Sequence, residues 1–251
     1  MGEPAAAFYA RRGNAVSDWW TLLHPPYTAW HLSYVALGAA VAPALDWTDL
    51  AFTLLAFFLA VGLAAHALDE QQGRPLRTGI ASTTLSAVAA LSLLGAVVLG
   101  LAGAFFRDGA NWALLAAIPV GAVLVVGYNL ELFGGRLHND HVFAWGWGGF
   151  PVVVGFLAQA PTPAPGAVAA AAAMTLAAVG TSYAQRRLST PARRLRRDTV
   201  SITGDLTTTD GTAVPLDRAV LLSPLEGALR AMSWAVPMTA LAVLLASSSR
   251  G

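Results

Sequence analysis

Apolar and polar positions alternate on a long scale in this chain. Seven apolar runs, at about residues 28–46, 48–68, 80–106, 111–130, 142–160, 165–186 and 225–247, are separated by short polar stretches. Several reach the roughly 18–20 residues an α-helix needs to cross a bilayer. The pattern predicts an all-α membrane protein, a bundle of about seven transmembrane helices forming one integral membrane domain. Residues 1–27 precede the first run, and within them Asn14–His24 carries Trp19, Trp20, Leu22 and Leu23. Paired Trp beside polar residues suits an interfacial segment or an aromatic belt. Residues 28–187 form a six-helix core and residues 225–251 a last helix with its tail. Between them, residues 188–224 open on the basic run Pro191–Arg197. Alternating β-formers around Asp210-Gly211 then predict a small hairpin on the cytoplasmic side.

Composition agrees with this class. Charged residues are 12% and apolar residues 56%, against about 25% charged in soluble domains, so there is too little polar surface for a soluble fold. Cys is absent, which excludes disulfides and thiolate chemistry. Lys is absent as well, since all fifteen basic residues are Arg. That excludes a Schiff-base lysine, with retinal or pyridoxal-phosphate chemistry, and a P-loop lysine. The opening residues show no apolar stretch behind Arg11 and Arg12, and Ala6 stands where a myristoylation signal has Ser or Thr. Neither a cleaved signal nor a lipid anchor is expected.

The arginines orient the bundle. With a cytoplasmic N-terminus, thirteen of the fifteen fall on the cytoplasmic side, and only Arg107 and Arg250 fall outside. This predicts an inner-membrane protein with its N-terminus in and its C-terminus out. The run around Arg193–Arg197 serves that topology, and it also suits steering of anionic substrates or binding of anionic lipid head groups. Gly and Ala abound in the spans, as at Ala169–Ala173, and permit close helix packing.

All five histidines fall on the cytoplasmic half of this topology. His66, Asp69 and Glu70 are three and four residues apart, so one helical face can present them together. His138 and His141 bracket Asn139 and Asp140, and His31 lies on the first span. Imidazole with carboxylate suits Zn, Fe or Mn, whereas oxygen-only sites suit Mg or Ca. Ionisable groups at membrane depth usually mark a pathway or a site. Tyr34, Asn129, Glu131, Arg74, Arg77 and Arg136 stand near the same face, and the arginines suit a phosphate clamp as well as topology. Trp145–Gly149, followed by Phe150-Pro151, reads either as a packing kink or as the lining of a hydrophobic tunnel.

Three stretches resemble the UbiA-type superfamily of intramembrane prenyltransferases. His24–Ala42 resembles the family's first helix. Ala65–Ile80, with Arg74-Pro75-Leu76 and Gly79, resembles its first aspartate motif and the R-P-L-x-x-G tail. Asn129–Ala158 resembles its later helix pair. The resemblance implies an all-helical bundle with a cytoplasm-facing polar cavity. There acidic motifs hold Mg on an isoprenoid diphosphate, and an acceptor is alkylated. Asp69 matches an acidic position of the first motif and Arg74 the arginine of its tail. Where the family carries N-D-x-x-D, this chain reads His66 to Glu70, and the region of the second motif, Thr181–Arg187, has no carboxylate.

These readings give a first expectation of a UbiA-like enzyme acting on an isoprenoid diphosphate or another lipid-soluble substrate. Asp69, Glu70 and His66 would be catalytic, and Arg74, Arg77, Arg136, Tyr34 and Asn139 would bind substrate. A divalent metal would sit among His66, Asp69, Glu70, His138, Asp140, His141 and His31: Mg for prenyl transfer, or Zn, Fe or Mn where the histidines are ligands. A second expectation keeps the scaffold and uses a transition metal to activate water or oxygen. A third is a non-catalytic lipid-binding or partner subunit. The expected partners are the bilayer and a lipid-soluble or isoprenoid small molecule, with no nucleic acid and with protein partners left open.

Overall fold

The structure, a computed structural model, describes residues 6–105 and 110–248. Arg107 and Arg250, on which the outer side of the topology rests, lie outside the described residues. The chain is an all-α membrane protein. Among the described residues, six helices are long and apolar enough to span a bilayer: α3 (Trp47–Gln71), α4 (Ser82–Phe105), α5 (Trp112–Asn129), α6 (Asp140–Gln159), α7 (Pro165–Arg197) and α8 (Arg218–Ser248). Two shorter ones precede them, α1 (Ala15–Leu23) and α2 (Pro25–Ala40).

The first expected span is therefore corrected. It corresponds to α2, which has only 16 residues. Its apolarity serves burial in protein: Trp30, Tyr34 and Val35 are at most 1% exposed, and α6 and α8 pack on its sides. Hydropathy alone does not separate a helix buried by neighbours from one bathed in lipid. Helix α4 is the opposite case, with Leu91, Leu94, Val98 and Leu101 exposed on its outer face.

Backbone approach sets the α2–α6 crossing. A Cβ at Gly38 would fall on the Val152 carbonyl, and one at Gly155 on the Val35 carbonyl. Both positions accept only hydrogen, which lets the helices touch along their backbones. Buried polar groups close within the same core. Trp30 Nε1 donates to the Tyr34 hydroxyl at 2.5 Å, and Ser182 Oγ reaches the same oxygen at 3.2 Å.

Two helices widen locally into π-helix, Phe58–Ala65 in α3 and Ala144–Gly149 in α6. Such turns concentrate at functional sites because they re-aim the side chains that follow. Here they set His66 and Trp147. Helix α7 runs 33 residues through Pro191, about 50 Å at 1.5 Å per residue, and carries the basic run as helix rather than linker. Beyond it, strands β1 (Asp205–Thr207) and β2 (Ala213–Pro215) pair antiparallel, Leu206 opposite Val214. The turn lies at Asp210-Gly211, where Asp210 Oδ1 accepts from Thr212 N at 3.0 Å and Gly211 takes a φ of 87°.

Candidate functional site

Where α2, α3, α7 and the α5–α6 connection meet, they enclose a polar cavity of about 130 Å³. Helix α7 supplies Gln185, Arg186, Arg193, Arg196 and Arg197 to its lining. Helix α3 supplies His66 and Asp69, the α1–α2 junction supplies His24, α2 supplies Tyr27 and His31, and the α5–α6 connection supplies His138. Phe8 and Tyr9, ahead of α1, line it too, as do Tyr128 and Asn129 of α5, Trp147 of α6 and Glu226 of α8. Arg197 Nε donates to the Ala6 carbonyl at 3.1 Å, and the Arg230 guanidinium lies 5.2 Å from the Phe8 ring centre.

Local chain geometry explains how these groups are aimed. His24 closes α1 in the left-handed region, φ 46°, and Pro25 starts α2 directly behind it. That turn lays the His24 ring against His66, ring centres 4.1 Å apart. Burial, reinforced by the nearness of His66, pushes the His24 imidazole well below its usual pKa. Tyr9, 5.2 Å from His24, is pushed well above the usual phenol range, chiefly by burial and then by Tyr27, so its hydroxyl stays protonated.

The four histidines of the cavity share one arrangement. Nδ1 of His24, His31, His66 and His138 faces the carbonyls of Leu22, Trp147, Gly62 and Tyr128 at 2.8, 2.9, 3.0 and 3.2 Å. A carbonyl only accepts, so each Nδ1 carries a proton, and Nε2 is the ring nitrogen left to interact. Nε2 of His138 lies 3.5 Å from Nη2 of Arg186. Among the described residues, Nε2 of His24, His31 and His66 has no hydrogen-bond partner, and the Asp69 carboxylate has neither a hydrogen bond nor an ion pair. Among the described residues, Arg193 makes one hydrogen bond, to Thr190 Oγ1 at 3.4 Å, and Asp69 lies within its electrostatic reach. The Tyr128 hydroxyl and Gln185 Oε1 are buried with no partner among the described residues.

Of the side chains singled out in the sequence, His24, His31, His66, Asp69, Asn129 and His138 come to this cavity, with Arg193, Arg196 and Arg197 of the basic run; the following ones stand elsewhere. Glu70 is fully buried against the loop that follows α3, accepting from Leu76 N, Thr78 N and Thr78 Oγ1 at 2.9 Å each. Arg74 turns into the same loop, donating to the Ile80 carbonyl and to Ser82 Oγ. Arg77 and Arg136 are exposed on loops. Tyr34 is locked between Trp30 and Ser182. Asn139 caps the start of α6 through His141 N and Val142 N. Asp140 pairs with Arg186 at 3.0 Å and Arg187 at 3.7 Å, and His141 is exposed and stacks on Tyr183.

The seven expected metal ligands therefore do not converge. Among the described residues no three His, Asp or Glu side chains form a group that could hold a metal ion. The chemistry of the donor set gives the reason. Glu70 and Asp140 spend their oxygens on backbone amides and arginines, and Glu226 at the cavity edge is bound by Arg196. Among the described residues, Asp69 is the carboxylate of the lining that makes no ion pair, and the nearby Arg193 and Arg197 guanidinium groups act on it through space. The site does not fit a divalent-metal cluster, and its positive charge comes from guanidinium groups.

The sequence reading placed the Arg193–Arg197 run in a linker, suited to topology, to steering anions or to lipid head groups, and did not set it on one helix with Arg186 and Ser189. Arg186, Ser189, Arg193 and Arg197 recur at helical spacing and belong to one face. Pro191 lacks an amide donor and crowds the preceding turn. The helix accommodates Pro191 and delivers that face to the cavity.

A second cavity, of about 110 Å³, lies between α3, α4, α5 and α6 and is almost wholly apolar, with Phe57, Val61, Gly100, Ile118, Gly121 and Phe150 in its walls. Trp147 lines both cavities. Trp145, expected to share a tunnel with it, is 53% exposed on the outer surface. Comparison of the chain with models of known families, with curated proteins and with solved structures finds no match.

Proposed function

We propose that the protein is a UbiA-like membrane enzyme that binds an anionic isoprenoid, or a similar amphiphile, across its two cavities. The head group, a diphosphate or phosphate, sits among Arg186, Arg193 and Arg197, and the apolar chain lies in the cleft between α3, α4, α5 and α6. The observation that carries this reading is the position of Trp147, whose side chain borders the arginine cavity and the apolar cleft alike. Polar and apolar subsites that meet at one aromatic wall match a molecule built of a charged end and a greasy one. Guanidinium groups bind phosphate by paired hydrogen bonds. In this site they take the neutralising role that paired acidic motifs and Mg take in UbiA-type enzymes, which accounts for the missing second acidic motif. We assign the cavity to the cytoplasmic side, where the arginine-rich ends gather.

Equilibrium binding to detergent-purified protein tests the reading. Geranylgeranyl diphosphate should bind at least about tenfold more tightly than either pyrophosphate or geranylgeraniol, since only it fills both subsites. Arg193→Gln should weaken it about 10- to 100-fold, the loss of one charge-assisted contact. Equal affinity for pyrophosphate and the prenyl diphosphate would sink the proposal, because the apolar cleft would then contribute nothing.

A further inference from the structure

We propose that residues 6–10 are an autoinhibitory strap: they close the head-group end of the polar cavity, and they lift when an anionic head group takes Arg197 from the Ala6 carbonyl. The proposal rests on the amphiphile reading above and adds how access to that site is controlled.

The strap is fixed firmly where it joins α1. Arg11 N donates to Thr21 Oγ1 at 2.8 Å, and that hydroxyl donates back to the Arg11 carbonyl at 3.0 Å. Thr21 itself is buried, and Trp20 Nε1 adds a bond to the Tyr9 carbonyl at 3.1 Å. Before this anchor the chain makes one turn, in which Ala10 N donates to the Ala7 carbonyl at 3.1 Å. Residues 6–9 all border the cavity and carry no helix or strand that movement would have to break.

The other end is held by cationic groups. Arg197 Nε donates to the Ala6 carbonyl at 3.1 Å, and the Arg230 guanidinium lies 5.2 Å from the Phe8 ring centre. Phe8 packs at the edge of Ala192, Leu222 and Leu229, and the Tyr9 and Tyr27 ring centres are 5.5 Å apart. Ala6 is 6% exposed beside Leu22, Ala67 and Leu76.

Ligand and strap therefore compete for one guanidinium. A neutral carbonyl takes a single hydrogen bond from Arg197, whereas a phosphate offers it negative charge and paired acceptor oxygens. A head group thus favours the state in which Arg197 has left Ala6, and that differential affinity is what a ligand needs to move the strap. Size points the same way. With the strap down the cavity holds about 130 Å³, less than the roughly 300–1,000 Å³ of sites that enclose a small-molecule ligand. The Arg11–Thr21 anchor is the pivot about which residues 6–10 lift.

The chain has no Cys, so Ala6→Cys introduces a single thiol that the closed strap shields. Its labelling by a maleimide in detergent is followed without ligand, with geranylgeranyl diphosphate and with geranylgeraniol, and diphosphate binding is measured on the same samples. Saturating diphosphate should raise the labelling rate at least about tenfold. Geranylgeraniol, which carries no anion, should leave it unchanged. Ala7→Cys, half-buried on the same strap, repeats the measurement if Ala6→Cys fails to bind the diphosphate. Phe8→Ala removes the Arg230 contact and should bind the diphosphate about threefold more tightly than the wild type, since the strap then opens more readily. Labelling unmoved by bound diphosphate, labelling raised equally by geranylgeraniol, or unchanged or weaker binding by Phe8→Ala overturns the strap and leaves the amphiphile reading in place. Absence of diphosphate binding in both the wild type and Phe8→Ala removes the amphiphile reading itself, and the strap's trigger with it.

Discussion

A buried imidazole that holds its proton on Nδ1 is a fixed acceptor, and His24 shows what that costs. Its ring is neutral in the folded protein because burial opposes the charge. The unfolded chain titrates near the ordinary value of about 6.5. Above that pH neither state is protonated at this ring, and it adds no pH dependence. Below it the unfolded state takes a proton that the folded ring refuses, so stability falls toward acid by up to about 1.4 kcal/mol per pH unit. His24→Asn, which tolerates the left-handed backbone and can still donate to the Leu22 carbonyl, should flatten melting temperature against pH between pH 6.5 and 5. A slope equal to that of the wild type would mean that His24 is already charged in the folded state. Glu226 makes a second case. Two hydrogen bonds from Arg196 join α7 to α8 through it, and both partners are largely buried. Glu226→Ala should destabilise by about 3 kcal/mol, chiefly because the buried Arg196 loses its carboxylate, and replacing both by apolar residues of similar size should restore most of the loss. Thermal unfolding of the two variants in detergent separates these outcomes.

At the scale of elements, stability and site geometry both depend on where backbones touch. Gly38 and Gly155 each stand where a side-chain atom would meet a carbonyl of the facing helix, whereas Gly166 has nothing within 4 Å. Gly155→Ala should therefore cost at least about 1–3 kcal/mol through overpacking, while Gly166→Ala should be neutral or slightly stabilising by helix propensity. Calorimetry or thermal unfolding of the two variants side by side checks this. Equal effects would mean that α2 and α6 separate easily. The histidines and α7 mark how far the pattern was legible at this scale. The i, i+3 spacing of His66 and Asp69 was readable, and both reach the cavity. Glu70, adjacent in sequence, is turned to the loop by the amides of Leu76 and Thr78, an outcome that no helical wheel contains. The arginine face of α7 was present in the spacing, but it emerges only once the helix is seen to continue through Pro191 into the basic run.

For the molecule as a whole, the arrangement that matters is a charged cavity set beside an apolar cleft, with the arginine-rich ends on one side. The absence of Cys makes orientation directly testable. A single cysteine at Thr209, in the exposed hairpin turn, should react with a membrane-impermeant maleimide only in inside-out vesicles. Labelling in intact cells would reverse the orientation and move the cavity to the opposite face. Increasing salt should weaken head-group binding while leaving an uncharged isoprenoid alcohol unaffected, because screening acts on the phosphate–arginine contacts alone. Equal salt dependence of the two would detach the arginines from binding.

By itself the sequence determined that this chain belongs in a membrane, that its apolar segments are helical, where a hairpin turns, and which ionisable residues are unusual enough to matter. Those properties follow from hydropathy, periodicity and turn chemistry, which are local. Tertiary structure decided that α2 is a buried core helix of 16 residues, that Glu70, Asp140 and His141 serve loops, ion pairs and stacking, and that His24 joins His31, His66 and His138 opposite the arginines of α7. Which acceptor meets which donor is set by backbone carbonyls and helix crossings from distant parts of the chain. A hydrogen bond between His31 and the Trp147 carbonyl, 116 residues apart, has no counterpart in any local pattern.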